Sequence, residues 1–184
     1  MTKILYVSNT ANFQKFNLPF MRWCKEQGWL VDYASPADEP VTECNHFYDI
    51  EMPRSPLKLH KIIIAVKLLK KILEENQYDI LHCHTPVGSV VARLAAKKLQ
   101  KQGKLKVIYT AHGFHFFKGA PLLNWMVYYP VEKYLSKWTD VLILINEEDF
   151  QLAINKHFKS KKIVKIDGVG VNLDKFKPLE EVND

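Results

Sequence analysis

The chain has 184 residues, of which 47% are hydrophobic and 25% are charged. This composition excludes an intrinsically disordered chain and fits one globular domain that is long enough to bury a core. The formal net charge of +6 favours an anionic partner, such as nucleic acid, a phosphorylated substrate or the inner leaflet of a membrane.

The N-terminal residues and the cysteines bear on the cellular compartment. Residues 1–5 lead directly into a strand pattern, so we expect no signal peptide. No uninterrupted run of about 18 apolar residues occurs, so we expect no membrane-spanning helix. Cys24, Cys44 and Cys83 have no close pair spacing, and their odd number suits reduced thiols better than disulfides or a cysteine zinc site. These observations predict a cytoplasmic protein.

The first strand and the loop after it are predicted at the N-terminus. Residues 3–8 form a continuous apolar run, which is typical of a central strand that is covered on both faces. A small polar loop, residues 8–13, follows, and residues 18–27 are predicted to form a helix that Gly28 ends. No glycine precedes Gly28, so the glycine fingerprint of an NAD-binding turn is absent.

Strands and helices are predicted to alternate through the rest of the chain. Further strands are predicted at residues 29–34, 44–50, 78–84, 106–110, 139–145 and 163–166. Further helices are predicted at residues 57–76, 87–102 and 121–137, and after Asn146, which is a good N-cap residue. This alternation predicts an α/β fold, a Rossmann-like doubly wound parallel sheet with helices on both faces.

The predicted helix 57–76 has an apolar stripe that we assign to the core because its members recur at helical spacing. The stripe consists of Leu59, Ile62, Ile63, Val66, Leu69 and Leu73. The other side interleaves lysines with aliphatic residues, namely Lys61, Ile64, Lys67, Leu68, Lys71 and Ile72. Such a face is typical of a helix that lies on a membrane surface. The alternatives are that another part of the fold covers it or that long lysines lie over apolar surface.

The next helix, residues 87–102, is basic towards its C-terminal end, where cations interact favourably with the helix dipole. We assign most of this charge to solvent. The basic residues are Arg93, Lys97, Lys98 and Lys101.

Histidines stand where two predicted strands end. His84 ends one strand, and His112 and His115 follow the other, with Gly113 allowing the backbone to turn close to a ligand. In open α/β sheets, ligands bind beyond the carboxyl ends of the strands. If the two strands are neighbours, His84 and His112 lie on one rim. His82, inside its strand, is interpreted as a hydrogen-bonded core residue.

Several kinds of chemistry are disfavoured by the sequence. His82 and His84 have the spacing of paired metal ligands, but we expect no metal because they should lie at different depths and no carboxylate follows them. No Gly-x-Ser-x-Gly elbow and no Walker loop occurs, which excludes serine hydrolases and P-loop NTPases. The lysines are spread over several helices without a known motif, so we expect no nucleic-acid binding.

Five segments in order carry a family resemblance. They are residues 3–13, 79–86, 110–114, 139–146 and 168–176. In this order they resemble the N-terminal, acceptor-side domain of a family-4 retaining glycosyltransferase of the two-Rossmann-domain (GT-B) architecture, of the polysaccharide-biosynthesis type.

The resemblance implies a division of labour between two domains. Residues 1–175 would hold a glycan or lipid-linked acceptor, residues 176–184 would begin the interdomain linker, and a separate C-terminal domain would hold the nucleotide sugar. Because that donor-binding domain is absent from these 184 residues, we expect half an enzyme, inactive alone. A nucleotide sugar would be the co-substrate, with no other cofactor. The role would be capsular or other surface-glycan synthesis, on the inner face of a membrane.

The resemblance also implies roles for particular residues. His112 would touch the transferred sugar at the reacting centre. The acceptor side would be lined by Asn9, Phe13, His84, Thr85, Gly113, His115 and Lys118. Arg54 is assigned to phosphate because a guanidinium fork suits pyrophosphate oxygens.

The expected mechanism is front-side transfer with retention of anomeric configuration. The departing diphosphate would help to accept the acceptor's proton, and His112 would stabilise the sugar electrostatically. This half of the enzyme offers no evident nucleophile. The alternative is a non-catalytic binding module for a phosphorylated or lipid-linked sugar that works with a separate donor-binding chain.

Overall fold

A computed structural model describes residues 1–170 of the chain. In this part the strands are β1 (Lys3–Val7), β2 (Leu30–Ser35), β3 (His46–Asp49), β4 (Ile80–His84), β5 (Lys106–Ala111), β6 (Val141–Leu144) and β7 (Lys162–Lys165). The α-helices are α1 (Leu18–Glu26), α2 (Leu59–Asn76), α3 (Pro86–Lys101), α4 (Leu122–Leu135) and α5 (Glu147–Asn155). Two short 3₁₀ helices span Ala11–Phe16 and Ser136–Trp138.

All described strands are parallel and form one sheet in the order β3-β2-β1-β4-β5-β6-β7. The order reverses at β1, which is the topology of a doubly wound sheet. The predicted Rossmann-like α/β fold is therefore confirmed. The predicted domain boundary at residue 175 and the tail 176–184 lie outside the described residues. Of the segment 168–176, which contributes to the family resemblance, the part from residue 171 onward also lies outside them.

The two faces of the sheet are covered unequally. On one face α1 packs on β1 and β2, and a small core forms there from Ile4, Tyr6, Met21, Cys24, Val31 and Tyr33. The larger core lies on the opposite face, beneath the other helices. The sheet face that α1 covers also borders an apolar cavity of about 320 Å³. Its lining includes Trp23, Ile108 and Ile143.

The segment after β1 is more regular than the predicted polar loop. The chain forms a 3₁₀ helix at Ala11–Phe16 that leads into α1. The Asp38 carboxylate accepts hydrogen bonds from the Ala11 N–H and the Thr10 hydroxyl, both at 2.7 Å. Because Asp38 satisfies a backbone donor that has no partner within the helix, it stabilises this start.

The apolar stripe predicted on α2 is only partly correct. Ile62, Leu69 and Leu73 are buried as expected, but Leu59 and Ile63 are 65% and 55% exposed. The buried line runs through Ala65 instead, where the small side chain allows close packing against the core. On the other side of α2, Ile64 and Leu68 are exposed.

Arg93 is the exception among the basic residues of α3, since its side chain is 1% exposed. Its guanidinium donates to Glu132 of α4 at 2.8 Å and lies over the Tyr109 ring at 4.4 Å. Tyr109 also donates a hydrogen bond to Glu132, at 3.3 Å. Arg93 faces β5 and α4, whereas the lysines that follow it on α3 are exposed as predicted: Lys97, Lys98 and Lys101. Within residues 1–170, none of the helices is both long and apolar enough to cross a bilayer.

Candidate active site

Two histidines meet at the carboxyl edge of the sheet. β4 and β5 are neighbours, and His84 is in register with Thr110, two residues before His112. The Nδ1 atom of His84 and the Nε2 atom of His112 lie 3.4 Å apart. The predicted shared rim is therefore confirmed.

Aromatic rings enclose this histidine pair. The Phe13 ring lies edge-on to His112 with the centroids 4.7 Å apart, and the Phe16 ring lies 5.5 Å from the same imidazole. Both phenylalanines come from the 3₁₀ helix after β1. The Tyr6 ring of β1 stacks on the His84 imidazole, with the ring centroids 6.2 Å apart. His84 is therefore buried, and His112 is accessible only in part.

Burial keeps these histidines neutral. It is the largest cause that places the pKa of His84 well below its usual range, and the neighbouring His82 and His112 add to it. Burial also lowers the pKa of His112. The pKa of His82 falls to about 3 for the same reason. At neutral pH, His112 can thus offer a hydrogen-bonding dipole rather than a full positive charge.

The hydrogen bonds distinguish the two histidines of β4. His82 Nε2 lies 2.9 Å from the Thr110 hydroxyl, as expected of a hydrogen-bonded core residue. His84 Nε2 is buried and has no hydrogen-bond partner among residues 1–170. Leaving such an atom unpaired costs about 1–3 kcal/mol. This cost makes His84 a candidate for contact with a bound polar group.

We expect acidification to destabilise the fold through His82 and His84. Both take up a proton below pH about 6.5 in the unfolded chain but stay neutral when folded. Their contribution to the free energy of unfolding is thus complete above pH 6.5. It is lost as the pH falls below that value, at about 2.7 kcal/mol per pH unit for the two histidines together. Urea unfolding between pH 7 and pH 5 measures this slope, which should be shallower by about 1.4 kcal/mol per pH unit in His84→Gln. An unchanged slope in that variant would contradict the assignment.

The start of α3 and the end of β1 come together beside the histidines. The Asn9 N–H donates to the Thr85 hydroxyl at 3.2 Å, and Thr85 has a φ of +61°. Gly88 permits this approach, because a Cβ there would lie 2.7 Å from Thr85 Oγ1 and 3.0 Å from Asn9 N. A threonine in such a conformation is strained, and strain of this kind is often found at ligand sites. Asn9 and Thr85 thus lie on the predicted rim.

The loop after His112 is held by the first turn of α5. Gly113 has a φ of +131°, and the Phe114 N–H donates to the buried Asp149 carboxylate at 2.9 Å. At the far end, the Lys118 N–H donates to Glu148 at 2.8 Å. Sequence reasoning did not find Asp149 as part of the site. Its signal was the Asn146-x-x-Asp149 spacing of a capping interaction, which the structure shows at 2.8 Å.

Replacing Asp149 by alanine should lower the free energy of unfolding by about 1–3 kcal/mol, because the buried Phe114 N–H loses its acceptor. Glu148→Ala removes the equivalent bond at the exposed end of the loop and should cost less than about 1 kcal/mol. Urea unfolding of both variants makes the comparison. Equal losses would mean that Asp149 holds the loop no more firmly than Glu148 does.

Three predicted site residues make no contact with the histidine pair. Arg54 is 81% exposed and pairs with Asp38 at 3.7 Å. His115 is exposed, and its ring packs on Tyr128 of α4 with the centroids 4.7 Å apart. The Lys118 side chain, further along the loop, is also exposed. The structure thus brings Asn9, Phe13, His84, Thr85, His112 and Gly113 together. Among residues 1–170, no three His, Cys, Asp or Glu side chains are grouped to hold a metal ion.

An all-parallel, doubly wound sheet with helices on both faces defines a Rossmann-like domain. The model of the family described as "Glycosyl transferase 4-like" matches residues 3–146, which is most of the chain. The chain belongs to this family.

Similar proteins agree with this assignment. The chain is 44% identical over 181 residues to the Bacillus subtilis (strain 168) protein named "Putative glycosyltransferase EpsD", covering 98% of this chain and 47% of that protein. It is 30% identical over 155 residues to an Escherichia coli protein, covering 84% and 38%. That protein is named "UDP-Gal:alpha-D-GlcNAc-diphosphoundecaprenol alpha-1,3-galactosyltransferase". The chain thus spans about half or less of the length of these relatives.

A solved structure shows the same fold. Sucrose-phosphate synthase from Thermosynechococcus elongatus superposes with a TM-score of 0.65 over 97% of this chain and 51% of that one. At 16% identity, this likeness supports the fold alone. It agrees with the predicted correspondence to one half of a GT-B enzyme.

Proposed function

We propose that this chain is the acceptor-binding part of a retaining glycosyltransferase that transfers a sugar from a nucleotide sugar to a glycan or lipid-linked acceptor. The observation that carries the proposal is the pair of His84 and His112, 3.4 Å apart at the carboxyl edge. Membership of the family supports it. The name of the Escherichia coli relative joins a UDP-sugar donor to a diphosphoundecaprenol acceptor, which supports the substrate classes. Capsular or other surface-glycan synthesis is the proposed role.

In the proposed reaction, the acceptor lies against Asn9, Phe13 and Thr85. The attacking hydroxyl forms a bond to the anomeric carbon on the face from which the diphosphate departs. The diphosphate leaves with the electron pair of the broken bond and accepts the hydroxyl proton, so configuration is retained. His112, being neutral, interacts with the sugar through a hydrogen bond. Phe13 and Phe16 limit the access of water to this imidazole.

The donor is assigned to a part of the enzyme outside this chain, and this assignment can be tested. The 184-residue chain alone should bind free nucleotide sugars only weakly and should catalyse no transfer. Isothermal titration calorimetry with a panel of UDP and GDP sugars measures the binding. A micromolar dissociation constant for any of them would show that the donor site lies in this half.

We also propose a cytoplasmic location with peripheral association to the inner membrane face, which the sequence pattern assigns to α2 and the basic end of α3. The exposed Ile64 and Leu68 support a contribution from α2. Each free lysine near an anionic leaflet contributes about 1 kcal/mol. However, Lys61 pairs with Glu51, and Lys71 pairs with Glu75 at 3.8 Å. The electrostatic part of the attraction at α2 is therefore small.

A further inference from the structure

α4 presents an uncovered apolar face, although an ordinary surface helix has a polar outer side. Leu122, Leu123 and Met126 are 75%, 68% and 66% exposed. The exposed residues continue along the helix at spacings of three and four residues. We call this set the α4 ridge: Leu122, Leu123, Met126, Pro130, Val131 and Tyr134. The opposite side of α4 packs on the larger core through Trp125, Tyr128 and Tyr129.

The charged groups on and beside α4 are mostly positive. Lys118 and Lys137 are exposed near its two ends, and Lys133 lies on the helix itself. The acidic residue of α4, Glu132, is buried and neutralised by Arg93. Glu148 is an exposed acidic residue, and it accepts the Lys118 backbone N–H at the loop.

Lysines also lie over aromatic rings at the C-terminal end of α4. The Lys137 ammonium lies over the Tyr134 ring at 3.4 Å and over the Trp138 ring at 4.7 Å. Lys97 of α3 lies over the other side of this region, 4.4 Å from the Trp138 ring centre. Aliphatic, aromatic and lysine side chains on one surface are the combination found in helices that lie in a lipid headgroup region.

We propose that the α4 ridge docks this chain on an anionic lipid bilayer. Its leucines and methionine enter the boundary between headgroups and acyl chains, and Lys118 and Lys137 contact lipid phosphates. A second copy of the chain fits this surface less well, because a symmetric contact would bring lysines against lysines. On α2, by contrast, Lys61 and Lys71 are already paired with glutamates. Charge complementarity therefore favours an anionic bilayer at α4.

The docking surface adjoins the candidate site. α4 follows the loop that begins at His112, and the Trp125 indole N–H donates to the Phe117 carbonyl at 3.2 Å. His115 of the same loop packs on Tyr128. A docked α4 would hold the histidine rim close to the lipid surface, where a lipid-linked acceptor carries its diphosphate. This consequence rests on the proposed function, but the docking itself does not.

Vesicle co-sedimentation of the 184-residue chain tests the docking without any substrate. The probes are phosphatidylcholine vesicles with and without phosphatidylglycerol, at low and high salt. The chain should bind the anionic vesicles at low salt and bind the neutral ones much less. The variant Leu122→Ser/Leu123→Ser/Met126→Ser should lower the partition coefficient by about tenfold or more. Lys118→Gln/Lys137→Gln should weaken binding and its salt dependence.

Two matched controls separate this surface from others. Leu59→Ser/Ile63→Ser removes exposed apolar groups from α2, and Ile154→Ser removes one from α5. Both should retain most of the binding, and circular dichroism should show that every variant is folded.

Three results would overturn the proposal: unchanged binding in the α4 triple variant, loss of binding only in the α2 variant, or no binding to anionic vesicles. Light scattering tests the competing possibility that a second copy of the chain occupies the ridge. A dimer that the α4 substitutions abolish would show that the ridge joins two copies. Because no sugar or nucleotide is present, these outcomes do not depend on the glycosyltransferase assignment.

Discussion

Replacing His112 by alanine in the complete enzyme should lower kcat by about a hundredfold to a thousandfold and change the acceptor KM little. The imidazole is partly buried beneath Phe13 and Phe16, where a fixed dipole acts strongly on developing charge. An interaction that strengthens in the transition state contributes to kcat rather than to ground-state binding. Steady-state kinetics with varied acceptor separate the two constants.

A matched control for this substitution is His157→Asn. His157 is exposed after α5 and has a φ of +52°, a conformation that asparagine tolerates. Both kinetic constants should stay at their original values in this variant. If His112→Ala raised KM and left kcat intact, His112 would instead be a binding or structural residue.

Arg93→Met should lower the free energy of unfolding by about 3–5 kcal/mol, because it leaves the buried Glu132 carboxylate without its cation. The remaining hydrogen bond from Tyr109, at 3.3 Å, cannot replace a guanidinium that donates at 2.8 Å. Urea unfolding of the 184-residue chain measures the loss.

The double variant Arg93→Met/Glu132→Leu tests the reason for that loss. It removes both charges and should recover most of the stability, because two apolar side chains of similar size can fill the same space. Lys98→Met, at an exposed position of α3, should change stability by less than about 0.5 kcal/mol. Losses in the double variant that equal or exceed that of Arg93→Met would mean that packing, rather than the unpaired charge, dominates.

The sheet and the histidine rim could be predicted because both depend on local patterns. A short apolar run such as Val141–Leu144 indicates a buried strand, and neighbouring parallel strands end at the same edge of a sheet. His84 and His112 each follow such a run, so their closeness required only that β4 and β5 be neighbours.

Other features depend on residues that are distant in sequence, and local patterns do not contain them. Arg93 is buried because Glu132, 39 residues later, neutralises it. The aromatic cover over His112 depends on the 3₁₀ helix that Asp38 stabilises from another loop. On α2, Leu59 and Ile63 share the period of the core stripe, but the buried line runs through Ala65.

The exposed ridge of α4 shows the limit of periodicity in another way. The sequence predicts a helix rich in aromatic residues, yet nearly every side of it is apolar, so no polar face marks the solvent side. The structure distinguishes the sides, because Trp125 and Tyr129 pack inward while Leu122 and Met126 do not.

The central claim is that the histidine rim binds the sugar acceptor, and NMR titration of the 184-residue chain tests it most directly. The ligand is a monosaccharide linked through diphosphate to a short prenyl chain, with the free diphosphate as a control. We expect saturable shifts of the His84 and His112 imidazole signals and of the Asn9 and Thr85 amides. Those shifts should be absent or weaker with the diphosphate alone. Saturable binding that leaves these signals unshifted, and shifts the signals of residues at the opposite edge of the sheet instead, would contradict the claim.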